Sequence, residues 1–329
     1  MRAALLVLIA ALPVLAQSTG LEFLNGNRPV VDAHNCYPYN GQWANRLSRA
    51  LALGFPIGIE QDLAWSEGRV VLSHSAETTG TEPSLRDHFF EAVRPIVEKA
   101  LREGHREQWP LIVLHFDVKD NRPELLHAVW NLLGHYESWI TTAPRSADKT
   151  RLEDLSAKPI LVLTEDSDAQ EKVFYDEVRV GARLRLFGSA HTNRIPGETK
   201  TERVHRAATL APDRLLSERP TNYRRWWNNS WFEIEEGGQT RAGEWTAEDD
   251  RRLRALVDHA HKLGFWIRFY TLDGFVEKDN LGWEAGYNFG SHDAAVKRRN
   301  AALKAGVNLI ATDQYGDLAA LAPQLLFPR

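Results

Sequence analysis

The sequence predicts an α/β protein folded as a TIM-type (β/α)8 barrel, and three observations lead there. Short β-like runs alternate with amphipathic helical stretches, the pattern of parallel α/β folds. Eight such runs can be counted, the number that closes a barrel. The length, 329 residues, suits one such barrel of about 250 residues with insertions.

The candidate strands are residues 30–34, 57–63, 111–118, 160–164, 183–187, 215–217, 265–271 and 307–312. Candidate helices lie between them, among them 84–103, 123–135 and 246–262. In the last, Thr246 caps the start, Glu248 and Asp249 favour its positive end and Gly264 stops it. Leu253, Leu256, Val257, Ala260 and Leu263 recur at helical spacing and form one apolar face. Two stretches, 222–244 and 273–291, are expected as long insertions carrying aromatics among Gly and Asn. The second follows a predicted strand, so in a barrel it rises over the carboxyl-end face. Its Phe275, Trp283, Tyr287 and Phe289 can close over a substrate or pack on one another.

Residues 1–16 have one Arg, an apolar run and a small Ala16, the layout of a secretory signal peptide. Cleavage after Ala16 and export, periplasmic or secreted, are expected, leaving 17–329 as a single barrel domain without a transmembrane anchor. The 40 basic and 44 acidic side chains sum to −4, which gives no global attraction for nucleic acid. Cys36 is the only cysteine, so an intramolecular disulfide and a cysteine-based zinc site are excluded.

The polar residues at strand ends carry the chemistry. The first strand runs into His34. The second places Glu60 and Asp62 two residues apart, on one side of a strand. Facing a barrel interior, two carboxylates need either a divalent cation or pairing with an Arg or Lys. The third strand puts His115, Asp117 and Lys119 on one face and Leu114, Phe116 and Val118 on the other. Asp117 can complete a three-carboxylate site for Mg²⁺ or Ca²⁺. Lys119 can neutralise a carboxylate or meet an anionic oxygen. His115 supports Asp117 or is a plain interior histidine. His74 ends another short β-like run, 70–74.

His34, Glu60-x-Asp62, His74 and Asp117-x-Lys119 together resemble the phospholipase-C-like phosphodiesterase superfamily. That group includes glycerophosphodiester phosphodiesterases, sphingomyelinase D-type phospholipases and phosphatidylinositol phospholipase C-like proteins. The Phe116–Lys119 stretch is most similar to sphingomyelinase D. Residues 268–273 resemble the family's seventh-strand motif, with Tyr270 where Trp is usual, and 305–313 resemble its eighth strand. Asn35 and Ser75 depart from the Arg and Asp that glycerophosphodiesterases carry there, and the disulfides of the venom enzymes have no counterpart.

The resemblance implies an exported, metal-dependent phosphoric diester hydrolase acting on a glycerophosphodiester, lysophospholipid or related headgroup. Glu60, Asp62 and Asp117 are then the metal ligands, with Mg²⁺ the expected ion and Ca²⁺ the second choice. His34 and His74 are the acid–base pair. Lys119 and Arg268 meet the phosphate charge, Arg268 having a structural ion pair inside the barrel as its other reading. Tyr270 forms a wall of the substrate pocket. The cluster Trp226, Trp227 and Trp231 either contacts lipid or sugar or packs against the barrel. The competing functional class is a non-catalytic lipid- or carbohydrate-binding protein on a degenerate barrel. A glycosidase is disfavoured, because Glu60 and Asp62 on one strand cannot flank a scissile bond.

Overall fold

A computed structural model describes residues 28–39, 43–235, 243–275 and 288–323. The signal-like segment 1–16 and most of the aromatic stretch 273–291 lie outside them. No helix among the described residues is long and apolar enough to cross a membrane.

Strands β1 (Val30–Ala33), β2 (Ile57–Ser66), β3 (Arg69–Leu72), β4 (Ile112–Val118), β5 (Ala143–Pro144), β6 (Ile160–Thr164), β7 (Arg183–Leu184), β8 (Phe187–Ser189), β9 (Arg224–Ser230), β10 (Trp266–Tyr270) and β11 (Leu309–Thr312) occur in chain order. Eight of them pair in parallel as β1-β2-β4-β6-β8-β9-β10-β11, and β11 returns to β1. These eight strands close on themselves as a (β/α)8 barrel. β2 continues past its barrel partners and folds back antiparallel onto β3.

Helices α1 (Arg46–Ala52), α2 (Glu91–Glu103), α3 (Pro123–His135), α4 (Asp168–Glu171), α5 (Lys200–Thr209), α6 (Pro212–Leu215), α7 (Ala247–Leu263) and α8 (His292–Ala305) lie between strands, and α9 (Tyr315–Leu321) follows β11. α3 starts on Pro123, whose fixed φ and missing N–H suit a first helical turn. α7 begins with a capping box: Thr246 accepts the Asp249 N–H, and the Asp249 carboxylate accepts the Thr246 N–H. It ends where Gly264 adopts φ +103. Leu253, Leu256, Val257 and Ala260 are buried, as their spacing predicts.

Two predicted strands need correction. Residues 183–187 do not form one strand. Arg183–Leu184 pairs antiparallel with Ala143–Pro144 in a separate ribbon, and the barrel strand is Phe187–Ser189. Residues 215–217 lie at the end of α6, and the next barrel position belongs to β9, inside the stretch expected as an insertion. β9 reads RRWWNNS and lacks the β-branched residues that mark strands. Tertiary contacts hold it. The Trp226 indole donates to the Thr164 carbonyl at 3.0 Å and the Trp227 indole to Thr192 Oγ1 at 2.8 Å. Trp226, Trp227 and Trp231 are fully buried, so packing, and not contact with lipid or sugar, accounts for them.

Trp227→Ala is expected to lower unfolding free energy by about 3–5 kcal/mol, the range for emptying a buried indole site. Equilibrium denaturation reads it, and a loss under about 1 kcal/mol would contradict the placement of β9 in the barrel wall.

Candidate active site

Alternation along the strands decides which side chains enter the barrel. On β1 and β2, Asp32, Gly58, Glu60 and Asp62 face inward, as do His115 and Asp117 on β4, Asn228 on β9 and Arg268 on β10. Gly58 is needed there. It is the register partner of Asp32, and a Cβ at that position would meet Asp32 Oδ1 at 2.4 Å.

Inside, one ionic chain runs across the barrel. Arg268 Nε donates to Asp32 Oδ2 at 2.5 Å, its Nη1 donates to Asn228 Oδ1 at 3.0 Å, and its Nη2 lies 3.3 Å from Glu60 Oε1. His115 Nδ1 is 3.4 Å from the same Glu60 oxygen, and its Nε2 is 2.6 Å from Glu165 Oε1. Asn228 donates to both Glu165 oxygens at 3.1 Å. His115 therefore supports Glu60 and Glu165, and not Asp117 as one sequence reading had it. Glu60 also accepts the Asn35 N–H at 2.9 Å. Burial alone would raise its pKa, but His34, Arg268 and His115 hold it well below the usual carboxylate range.

His34, one residue beyond β1, is fixed from both sides. Its Nδ1 lies 2.7 Å from Asp313 Oδ1 and its Nε2 lies 3.5 Å from Glu60 Oε2. Asp313 is held in turn by Arg46 at 3.0 Å, while its N–H donates to Asp273 at 2.7 Å. Burial favours a neutral imidazole, yet the charges of Glu60 and Asp313 outweigh it and raise the His34 pKa to about 9. The Tyr270 ring lies 6.3 Å from the His34 ring, centroid to centroid, in near-parallel planes 16° apart.

Asp62 and Asp117 are register partners on β2 and β4, so their carboxylates emerge side by side. Oxygens of Glu60, Asp62 and Asp117 come within 4.8 Å of one another. Asp62 is buried, its Oδ1 has no hydrogen-bond partner among the described residues, and burial beside Asp117 pushes its pKa well above the ordinary value. Lys119 Nζ lies 2.7 Å from an oxygen of each aspartate. An orphaned buried oxygen within a cluster of three hard donors fits a divalent cation.

His74 follows Ser73, whose N–H donates to the Asp62 carbonyl at 3.1 Å. Its ring meets Tyr39 edge-on with centroids 5.6 Å apart. The aromatic stretch expected to rise over this face starts and ends here: the Phe289 N–H donates to the Asp273 carbonyl at 2.9 Å. Its residues 276–287 lie outside the described ones.

Sequence reasoning missed Asp313, Asp273 and Arg46 around His34, and Glu165 and Asn228 beside His115. Asp32 had a usable signal, lying two residues before His34 on the same strand face. The others reach the site from separate segments, Arg46 from α1, Asn228 from within β9 and Glu165, Asp273 and Asp313 from beyond strands, without a local spacing to reveal them.

No family model matches the chain, and no curated protein does. Among solved structures it is similar to a glycerophosphoryl diester phosphodiesterase from Parabacteroides distasonis, 12% identical over 94% of this chain and 92% of that one, with a TM-score of 0.43. It is also similar to the HPPK-DHPS of Plasmodium falciparum with pterin and p-hydroxybenzoate, 10% identical over 92% of this chain and 48% of that one, at 0.42. The strand order itself carries the fold assignment.

Arg268→Met is expected to cost about 3–5 kcal/mol of stability, because Asp32 and Glu60 lose their buried counter-charge. Denaturant unfolding of the metal-free protein measures this. Wild-type stability would mean instead that the guanidinium is kept for a substrate.

Proposed function

We propose that the protein is a metal-dependent phosphoric diester hydrolase acting on a glycerophosphodiester, lysophospholipid or related headgroup, exported after cleavage near Ala16. The observation that carries this reading is the convergence of Glu60, Asp62 and Asp117 beside an imidazole, His34, whose second nitrogen is fixed by a buried carboxylate.

Phosphodiester cleavage requires neutralised phosphate charge, a deprotonated attacking hydroxyl and a protonated leaving oxygen. Glu60, Asp62 and Asp117 hold the cation in this reading, and when bound it supplies Lewis-acid polarisation of a phosphate oxygen. Asp313 at Nδ1 fixes the ring and tautomer of His34, so that Nε2 is the nitrogen exchanging a proton with substrate. Asp313 and Glu60 keep that proton on the ring at neutral pH in the free protein. His74 is the second proton carrier: one imidazole takes the proton of the attacking hydroxyl and the other returns one to the leaving oxygen. Lys119 carries positive charge toward the phosphate. Arg268, fully buried and paired with Asp32 and Glu60, positions Glu60. Tyr270 lines the wall beside His34.

The test is a phosphodiester substrate panel with purified protein, with and without EDTA. Cleavage of at least one diester, abolished by EDTA and restored by Mg²⁺, is expected. His34→Ala and His74→Ala should each slow turnover at least about a hundredfold with the fold intact. Asp117→Asn should weaken metal binding, so that excess Mg²⁺ recovers part of the rate. Near wild-type turnover in either histidine variant would remove that residue from the mechanism. A folded protein that binds lipid or sugar but cleaves no diester would favour the binding-protein reading.

A further inference from the structure

The ammonium of Lys119 stands in the gap between Asp62 and Asp117, 2.7 Å from Oδ2 of each. Asp62 and Asp117 are in-register neighbours on adjacent parallel strands, so their separation is set by the sheet and cannot widen much. Metal–oxygen bonds of Mg²⁺ and Ca²⁺ run roughly 2.0–2.6 Å. A divalent cation bonded to the Oδ2 atoms of both aspartates competes with Nζ for the volume it fills, and one bonded through the neighbouring Oδ1 of Asp62 still lies close enough for two positive charges to repel strongly. The lysine can leave. Its backbone N–H is pinned to the Leu63 carbonyl at 2.9 Å, but its four-carbon stem is flexible and partly exposed.

We propose that Lys119 is a tethered counter-ion that exchanges with the divalent cation. In the metal-free protein it holds Asp62 and Asp117 together; when the cation enters, the ammonium swings out over the barrel mouth, where it is free to meet a phosphate. The aspartate pair is thus never left uncompensated in a buried setting, and metal loading turns an internal salt bridge into a substrate-facing charge. The inference rests on the metal-site reading of Glu60, Asp62 and Asp117, and it adds a competition that the ligand set alone does not require.

The cost of this arrangement is affinity. If the ammonium fills the gap about nine-tenths of the time, apparent affinity for the cation falls about tenfold, in proportion to the competent fraction. Two measurements on the full-length protein test the exchange. Isothermal titration with MgCl₂ compares wild type with Lys119→Met, and with Lys119→Gln should the Met variant not fold. NMR of ¹⁵N-lysine-labelled protein follows the Lys119 Nζ signal, assigned by its absence from the variant. The expected result is that the variant binds Mg²⁺ about tenfold more tightly, and that a solvent-protected Nζ signal in the metal-free wild type disappears as Mg²⁺ saturates.

A variant that binds Mg²⁺ no more tightly than wild type would overturn the proposal. So would an Nζ signal that stays protected at saturating Mg²⁺, because the ammonium would then sit beside the cation and not in its place. If neither wild type nor variant binds Mg²⁺ or Ca²⁺, the metal-site reading itself fails and takes the exchange with it.

Discussion

The ion pair between Arg268 and Asp32, extended to Glu60, is the constraint on which the site depends. Removing an ion from water costs several kcal/mol even after relaxation, and three charges are stacked here in a barrel interior with almost no solvent access. Such a group is tolerable only if each charge has a partner in good geometry. The fold meets this with Gly58, which leaves space for the Asp32 carboxylate, and with Asn228, which accepts a hydrogen bond from the guanidinium. Glu60 is held ionised and fixed in place as a result. From it the network reaches His34 on one side and His115 with Glu165 on the other.

Around this centre the barrel supplies positions that no single segment could. Asp62 meets Asp117 because β2 and β4 run parallel in register. His34 meets Asp313 because β1 closes the barrel against β11, 279 residues away in sequence. Closure thus does two things at once: it pairs β1 on both sides and brings its end against that of β11. The outer faces of the same strands are mostly apolar core, with Ile57, Ile59, Leu63, Leu114 and Phe116 buried; Gln61 is the polar member on β2 and donates to the Cys36 carbonyl at 2.6 Å.

Most of this was legible where local pattern and tertiary structure agree. The polar inner face of β4 showed in the alternation of His115, Asp117 and Lys119 with apolar neighbours. The capping residue and stop of α7 were written at Thr246 and Gly264. Pattern failed where packing overrode propensity. β9 carries two arginines, two tryptophans and two asparagines in seven residues, which looks like a loop until Trp226 and Trp227 are buried and their indoles find acceptors. His115 shows the same limit at the site: its strand face was readable, but not that it would pair across to Glu60 and Glu165. Arg268 likewise could be placed on an inward face without revealing that Asp32 occupies it.

The proposed cation site is formed by the three carboxylates at the carboxyl end of the barrel, next to His34. Anomalous diffraction from crystals soaked in Mn²⁺ tests it most directly, since the ion is seen by its own scattering. One strong peak is expected within bonding distance of oxygens from Glu60, Asp62 and Asp117. A map with no peak there at millimolar Mn²⁺, or with the ion bound only elsewhere, would contradict it.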